Sequence, residues 1–196
     1  AAPAQTPETQ AEVGIDLGVR KLAVLATPDG EIEIVPNRRA LLRATRKLRA
    51  AQKAVSRRKK GSGRRRRAVR RLGRVHRRVV HVRRDATHKA TTRIAQKYKV
   101  VAIEDLRVKN MTRRAHGKNR AAKAGLNRAV LDANFGKFHR QLEYKLALAG
   151  GRLVPVNPAY TSQRCSHCGE YTDPGSSEIY VCASCGLRID RDFNAA

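Results

Sequence analysis

The sequence predicts an α/β fold with a mixed central sheet, an inserted Arg-rich helical hairpin and a small cysteine-bound insertion. Three observations predict it. Short strand-like runs alternate with turn residues at the start of the chain. The stretch from Arg38 to Arg84 contains no acidic residue and repeats apolar side chains at helical spacing. Four cysteines stand in two Cys-x-x-Cys pairs near the end.

Residues 1–12 (AAPAQTPETQAE) are small, polar and Pro-containing, and read as a disordered leader or linker. Val13-Gly-Ile-Asp-Leu, Lys21-Leu-Ala-Val-Leu-Ala and Glu31-Ile-Glu-Ile-Val follow as three short strands. Gly18 and the Pro28-Asp29-Gly30 turn separate them, which predicts an antiparallel meander. Leu41, Leu48 and Val55 then form one helix face, and Gly61-Ser62-Gly63 breaks it. Leu72, Val75, Val79, Val82 and Ala86 form a second face at steps of three and four, predicting an antiparallel hairpin across 38–98 with an apolar seam. Lys99-Val-Val-Ala-Ile-Glu104 reads as a buried strand that ends in a carboxylate. Residues 107–125 are basic and carry little apolar periodicity, which predicts a mobile lid loop. One helix is expected from Leu126 to Ala149, with Val130, Phe135, Phe138, Leu142 and Leu146 on one side. Arg152-Leu-Val-Pro-Val is a further strand, although Pro155 removes a ladder donor at its centre.

Charge narrows the function classes. Forty-three basic residues against 16 acidic ones leave a net +27 over 196 residues. Such a chain repels itself strongly, and a polyanionic partner, nucleic acid above all, relieves that repulsion. No apolar run approaches the ~20 residues that span a bilayer, so no membrane partner is expected. The single-sign hairpin leaves i,i+4 repulsion uncompensated. Phosphate contacts are therefore expected from Arg57, Arg58, Lys59, Lys60, Arg64, Arg65, Arg66, Arg67, Arg70 and Arg71. Trp is absent and aromatics make up only 4%, which argues against base stacking as the main binding mode. The cysteines are few and clustered, which fits a reducing cytoplasmic, nucleoid-associated location.

Cys165-Ser-His-Cys168 and Cys182-Ala-Ser-Cys185 carry the spacing of two zinc knuckles. Each pair presents two thiolates to a tetrahedral ion, and Gly169 and Gly186 directly after them suit the tight turn. Four thiolates close the shell, so the zinc would be structural, and His167 is surplus. A redox dithiol or disulfides are the alternatives.

Three acids stand out where acids are scarce. Asp16 and Glu104 end strand-like runs, and Asp192 lies in Asp190-Arg-Asp-Phe-Asn-Ala-Ala. Each alone has an ordinary explanation as a cap or as an Arg partner. Together they match the needs of phosphodiester cleavage, in which Mg²⁺ ions about 4 Å apart activate a water and stabilise the leaving oxygen. Hard ions take carboxylate oxygens.

Gly14-Ile-Asp16-Leu-Gly-Val, Ala102-Ile-Glu104-Asp-Leu, Asn157-Pro-Ala-Tyr-Thr-Ser-Gln163, the two knuckles and Asp190-Arg-Asp192-Phe-Asn occur in this order. In that order the chain resembles the C-terminal nuclease half of TnpB proteins, insertion-sequence-encoded RNA-guided DNA endonucleases of the OrfB family related to type V CRISPR effectors. The resemblance implies an RNase H-like (RuvC) domain over 13–160 plus 187–196, with a zinc ribbon at 161–186. It implies Asp16, Glu104 and Asp192 as catalytic acids holding Mg²⁺ or Mn²⁺, and zinc at Cys165, Cys168, Cys182 and Cys185. Asp190 and Asp105 are weaker candidates, Asp105 because on a strand it would face away from Glu104. DNA as substrate and a guide RNA are the implied partners, with the hairpin facing the RNA–DNA heteroduplex. Nothing in the chain corresponds to the family's N-terminal recognition half, so an excised nuclease module is expected, with its end at Ala196 cut short. A nuclease-inactive RNA-guided repressor and an RNase H-like transposase are the rival functions.

Overall fold

A computed structural model describes residues 11–114, 117–158, 161, 163–175 and 177–196. The expected leader over 1–12 falls mostly outside them, but Glu12 already belongs to the first strand.

The meander forms as expected. β1 (Glu12–Asp16) pairs antiparallel with β2 (Lys21–Ala26), and β2 with β3 (Ile32–Pro36). β4 (Val100–Glu104) then adds to the other side of β1 in parallel, and β5 (Arg152–Val156) adds in parallel to β4. The result is a five-stranded mixed sheet in the order β3-β2-β1-β4-β5. Pro155 is accommodated because β5 lies at the edge, where a missing donor breaks no second ladder.

Two helices carry the basic run. α1 (Ala40–Ser56) and α2 (Gly63–Lys97) pack against each other across a turn in which Gly61 takes φ 83° and the Ser62 hydroxyl caps α2 by accepting from the Arg65 amide at 3.2 Å. Leu48 and Val79 are buried in their seam. Val82, expected in the same seam, is exposed. The buried stripe of α2 instead runs on through Thr87, Ala90, Thr91 and Ile94, and Arg83 turns inward to pair with Asp132. The threonines bury without orphaned polar groups, since Thr87 donates to the Arg83 carbonyl and Thr91 to that of Thr87.

The expected loop over 107–125 holds more structure than predicted. A four-residue helix, α3 (Val108–Met111), and a 3-10 turn (Gly117–Asn119) lead into α4 (Arg120–Ala133). The single helix expected over 126–149 is two, α4 and α5 (Phe135–Leu148). They meet at Asn134, whose φ of 63° is a left-handed conformation that asparagine tolerates better than most residues. The break re-aims the chain while Val130, Phe135, Phe138, Leu142 and Leu146 all enter one core. Each such burial contributes roughly 1.5–3 kcal/mol.

That core fills one face of the sheet. Val13 and Ile15 of β1 and Val101 and Ile103 of β4 point into it, against α2 and α5. Alternation then turns Gly14, Asp16, Ala102 and Glu104 to the opposite face. A small hairpin, β6 (Ile179–Val181) with β7 (Arg188–Asp190), precedes a short terminal helix, α6 (Arg191–Ala195), which lies against β1 and β2. Gly14 permits that approach, because a Cβ there would sit 1.6 Å from the Ala196 carbonyl oxygen.

Candidate metal centres and acidic cluster

The two parallel strands β1 and β4 run in register, with Ile15 opposite Ile103. The next position on each is the acid, so Asp16 and Glu104 leave adjacent strand ends on the same face. β7 leads directly into α6 and brings Asp192 over that face. The consequence is electrostatic. Burial, then the charges of Glu104 and Asp192, push the Asp16 carboxyl from 3.8 up to about 7. Glu104 and Asp192 thus both act on Asp16. The three acids are not packed as tightly as the cysteines, which among the described residues are the one group whose ligand atoms all lie within 4.8 Å of one another.

Two further groups position the acids, and sequence reading missed both. Thr161 donates its hydroxyl to Oε1 of Glu104. Lys21, at the start of β2, places Nζ 3.0 Å from Asp190 Oδ2 and 3.3 Å from Asp192 Oδ2, and 4.5 Å from the centre of the Phe193 ring. Partial burial opposes its charge, but the two carboxylates outweigh it and hold the ammonium above its ordinary value. Asp190 has two tasks. Its Oδ1 accepts from the Asp192 amide at 2.9 Å, capping α6, while Oδ2 holds Lys21. Asp105 is exposed and its amide donates to the Val156 carbonyl, so it serves the sheet edge.

The four cysteines close into a second site. Cys165 and Cys185 approach to 3.7 Å and Cys168 and Cys182 to 3.5 Å. The two knuckles repeat one backbone pattern. The Gly169 amide donates to the Cys165 carbonyl, as the Gly186 amide does to that of Cys182, and both glycines take positive φ, 78° and 73°. The Cys185 amide, aimed at Cys182, pulls that thiol down to about 6. At Cys168 the Glu170 amide pulls the same way, but burial and the neighbouring thiols push it up to about 12. Such crowding of thiols is what a single cation relieves. His167 is exposed and outside the cluster.

Asn194 joins the two sites. Its amide nitrogen donates to the Arg164 carbonyl at 2.7 Å, and its oxygen accepts from the Ser166 amide at 2.9 Å. The helix that carries Asp192 is thereby fastened to the first knuckle. Arg20 also reaches across from the β1–β2 loop to Glu178.

The basic residues expected to meet phosphate gather at the tip of the helical pair. Arg57, Arg58, Lys59 and Lys60 lie in the turn, and Arg64, Arg66, Arg67, Arg70 and Arg71 are exposed on the first turns of α2, with Arg65 half-buried. Cations at a helix N-terminus oppose the macrodipole, by about 0.3–1 kcal/mol each at low ionic strength. A groove of about 960 Å³ continues this surface between the helices, lined by Arg38, Arg43, Lys47, Arg71, Arg74 and Arg78. The spacing of Arg71, Arg74 and Arg78 at three and four was its sequence signal.

With this geometry in place, the comparisons with known proteins decide the family. Residues 1–115 match the OrfB_IS605 family, described as a probable transposase. The chain belongs to the OrfB_IS605 family. Residues 135–196 of this OrfB_IS605 chain match a second description, the Cas12f1-like TNB domain. A putative RNA-guided DNA endonuclease of Escherichia coli strain K12, InsQ, is 38% identical over 192 residues, which cover 94% of this chain and 47% of that protein. A putative RNA-guided DNA endonuclease of Mycobacterium tuberculosis is 37% identical over 186 residues, 94% of this chain and 40% of the relative. The chain thus spans about half the length of the curated relatives it matches. In structure it is similar to the protein of a Cas12f1–sgRNA–target DNA complex, with a TM-score of 0.62 at 17% identity over 95% of this chain and 48% of that one. The resemblance to TnpB proteins stands. Among the described residues, no helix is long and apolar enough to cross a membrane.

Proposed function

We propose that the chain is the nuclease module of an RNA-guided DNA endonuclease, with a RuvC-like, RNase H-type fold. Its catalytic acids are Asp16, Glu104 and Asp192, and zinc fills the cysteine cluster. One observation carries the reading: three carboxylates from three separate elements share one face closely enough that Glu104 and Asp192 help drive Asp16 to about 7. Lys21 offsets only part of that repulsion, through Asp192 and Asp190, and a bound divalent cation would offset the rest.

Magnesium or manganese held by these acids supplies the hard Lewis acid that activates water and stabilises a leaving oxygen. The protein's part is placement. Asp16 and Glu104 leave the ends of two hydrogen-bonded strands, so the sheet sets their separation. Thr161 fixes one oxygen of Glu104, and the zinc ribbon, through Asn194, fixes the helix that brings Asp192. The ribbon spans 161–186, and the nuclease domain comprises 13–160 with 187–196. The basic helices within 38–98 run along the backbone of a guide RNA–DNA heteroduplex, whose sequence is read by pairing and whose phosphates neutralise the arginines.

In a Mg²⁺-dependent plasmid-nicking assay, Glu104→Gln and Asp192→Ala abolish cleavage while leaving RNA affinity within about twofold, since neither acid contacts the basic hairpin. Wild-type cleavage by either variant overturns the assignment. The family's description as a probable transposase favours a second reading, strand joining on the same acids. Joined products in that assay, in place of nicked and linear plasmid, would select it.

A further inference from the structure

We propose that Lys21 is a built-in counter-cation of the acidic cluster, which holds Asp192 when no divalent ion is bound and competes with the ion for Asp192 Oδ2. The inference rests on the reading of Asp16, Glu104 and Asp192 as a divalent-ion site. Three contacts carry it. Lys21 Nζ lies 3.3 Å from Asp192 Oδ2, a carboxylate oxygen that an ion would need. It lies 3.0 Å from Asp190 Oδ2, and 4.5 Å from the centre of the Phe193 ring. The Lys21 side chain is only 26% exposed, against 76% for Lys89 in its helical pair with Asp85, so it is held in the cluster and not swept through solvent.

The contacts let Lys21 be held in two ways. Without an ion, Lys21 shares its ammonium between Asp190 and Asp192, neutralising part of a cluster that repels itself. With an ion, Asp192 would be taken by the metal and Lys21 would keep its contact with Asp190. Asp190 can keep it, because the oxygen that caps α6 is Oδ1 and the one that holds Lys21 is Oδ2. The Phe193 ring face offers the cation a second resting place on the same helix. Lys21 is therefore a positioning residue whose charge weakens metal binding while protecting the empty site.

The test measures Mn²⁺ binding to the full chain by calorimetry, with the cysteine site left as isolated and no nucleic acid present. Lys21→Met and Lys21→Gln tighten Mn²⁺ binding by about tenfold, the order expected when a single charge beside a divalent ion is removed in a water-like dielectric. Lys21→Arg keeps the wild-type affinity, since it keeps the charge. Both neutral variants melt at a lower temperature than wild type when no divalent ion and no chelator is added. The glutamine variant guards against a packing failure of the methionine one. Unchanged or weaker Mn²⁺ binding in a folded neutral variant overturns the proposal. Asp192→Asn separates this failure from failure of the site itself. If wild type binds Mn²⁺ and Asp192→Asn does not, the metal site stands whatever Lys21 does. If Mn²⁺ binding is indifferent to Asp192, both readings fall.

Discussion

Asp16→Asn should stabilise the metal-free protein while destroying its chemistry. The carboxyl is raised from 3.8 to about 7, first by burial and then by Glu104 and Asp192. A shift of roughly 3 units at about 1.36 kcal/mol each bounds the penalty of the ionised form near 4 kcal/mol. Partial solvent access and relaxation reduce that to about 2 kcal/mol. For a chain of this length each kcal/mol moves Tm by roughly 2–4 °C, so the gain is about 4–8 °C. The sign with pH follows from linkage. Below pH 4 both folded and unfolded chains hold the proton, and the penalty vanishes. Between about pH 4 and 7 the unfolded chain releases it first, so wild-type stability falls as pH rises, and the full penalty is present above pH 7. Asparagine carries no such term. Thermal melts without added divalent ions and without chelator should show the variant ahead at pH 8 and its advantage less than half as large at pH 5. Added Mn²⁺ should reverse the ranking, because the ion stabilises wild type by mass action and finds no carboxylate at position 16 in the variant. Equal melts at pH 8, or an advantage unchanged between pH 5 and 8, would refute the claim that burial and the neighbouring acids together hold this carboxyl up.

Cys182→Ser should lower bound zinc from about one equivalent to none and melt the ribbon, since four thiolates form the closed shell that folds such units. Metal analysis and proteolysis across 163–194 check it, and intact zinc would sink it. Asp132→Ala should cost about 3–5 kcal/mol in urea denaturation. Its carboxylate is 6% exposed, pairs with Arg83 Nε at 2.7 Å and accepts the Leu41 amide of the first turn of α1 at 3.0 Å, so its loss strands a guanidinium and an N-terminal helix donor together. A loss under about 1 kcal/mol would show that the pair is not isolated from water. Arg66→Gln with Arg67→Gln should reduce the slope of log affinity against log salt for RNA by nearly one for each residue that meets a phosphate, and leave Mn²⁺ binding unchanged.

Much of the fold was legible because its signals are local. The strand alternation of Val13-Gly-Ile-Asp-Leu, the Gly61-Ser62-Gly63 break and the Cys-x-x-Cys spacing each act within a few residues, and each appears where expected. The misses share a cause. Asn134 sits inside an unbroken apolar pattern, so periodicity ran through it although the backbone turns there. Val82 fitted the helical step, but the buried stripe passed to Arg83, Thr87 and Thr91, whose polar groups are satisfied by a distant acid or by the helix itself. Residues 120–125 looked like a loop because the start of α4 exposes most of its surface and needs little apolar content.

The acidic cluster divides in the same way. The sequence by itself determined which acids were present, in what order, and that the cysteines could close on one ion, because identity and short-range spacing are properties of the chain. Only the tertiary structure decided that Asp16 and Glu104 leave adjacent strands in register, that α6 lays Asp192 above them, and that Lys21 rather than an arginine holds the third acid. Coulombic coupling depends on distance through space, and residues 16, 104 and 192 become neighbours only when the sheet orders its strands and the cysteine unit fastens the last helix to it.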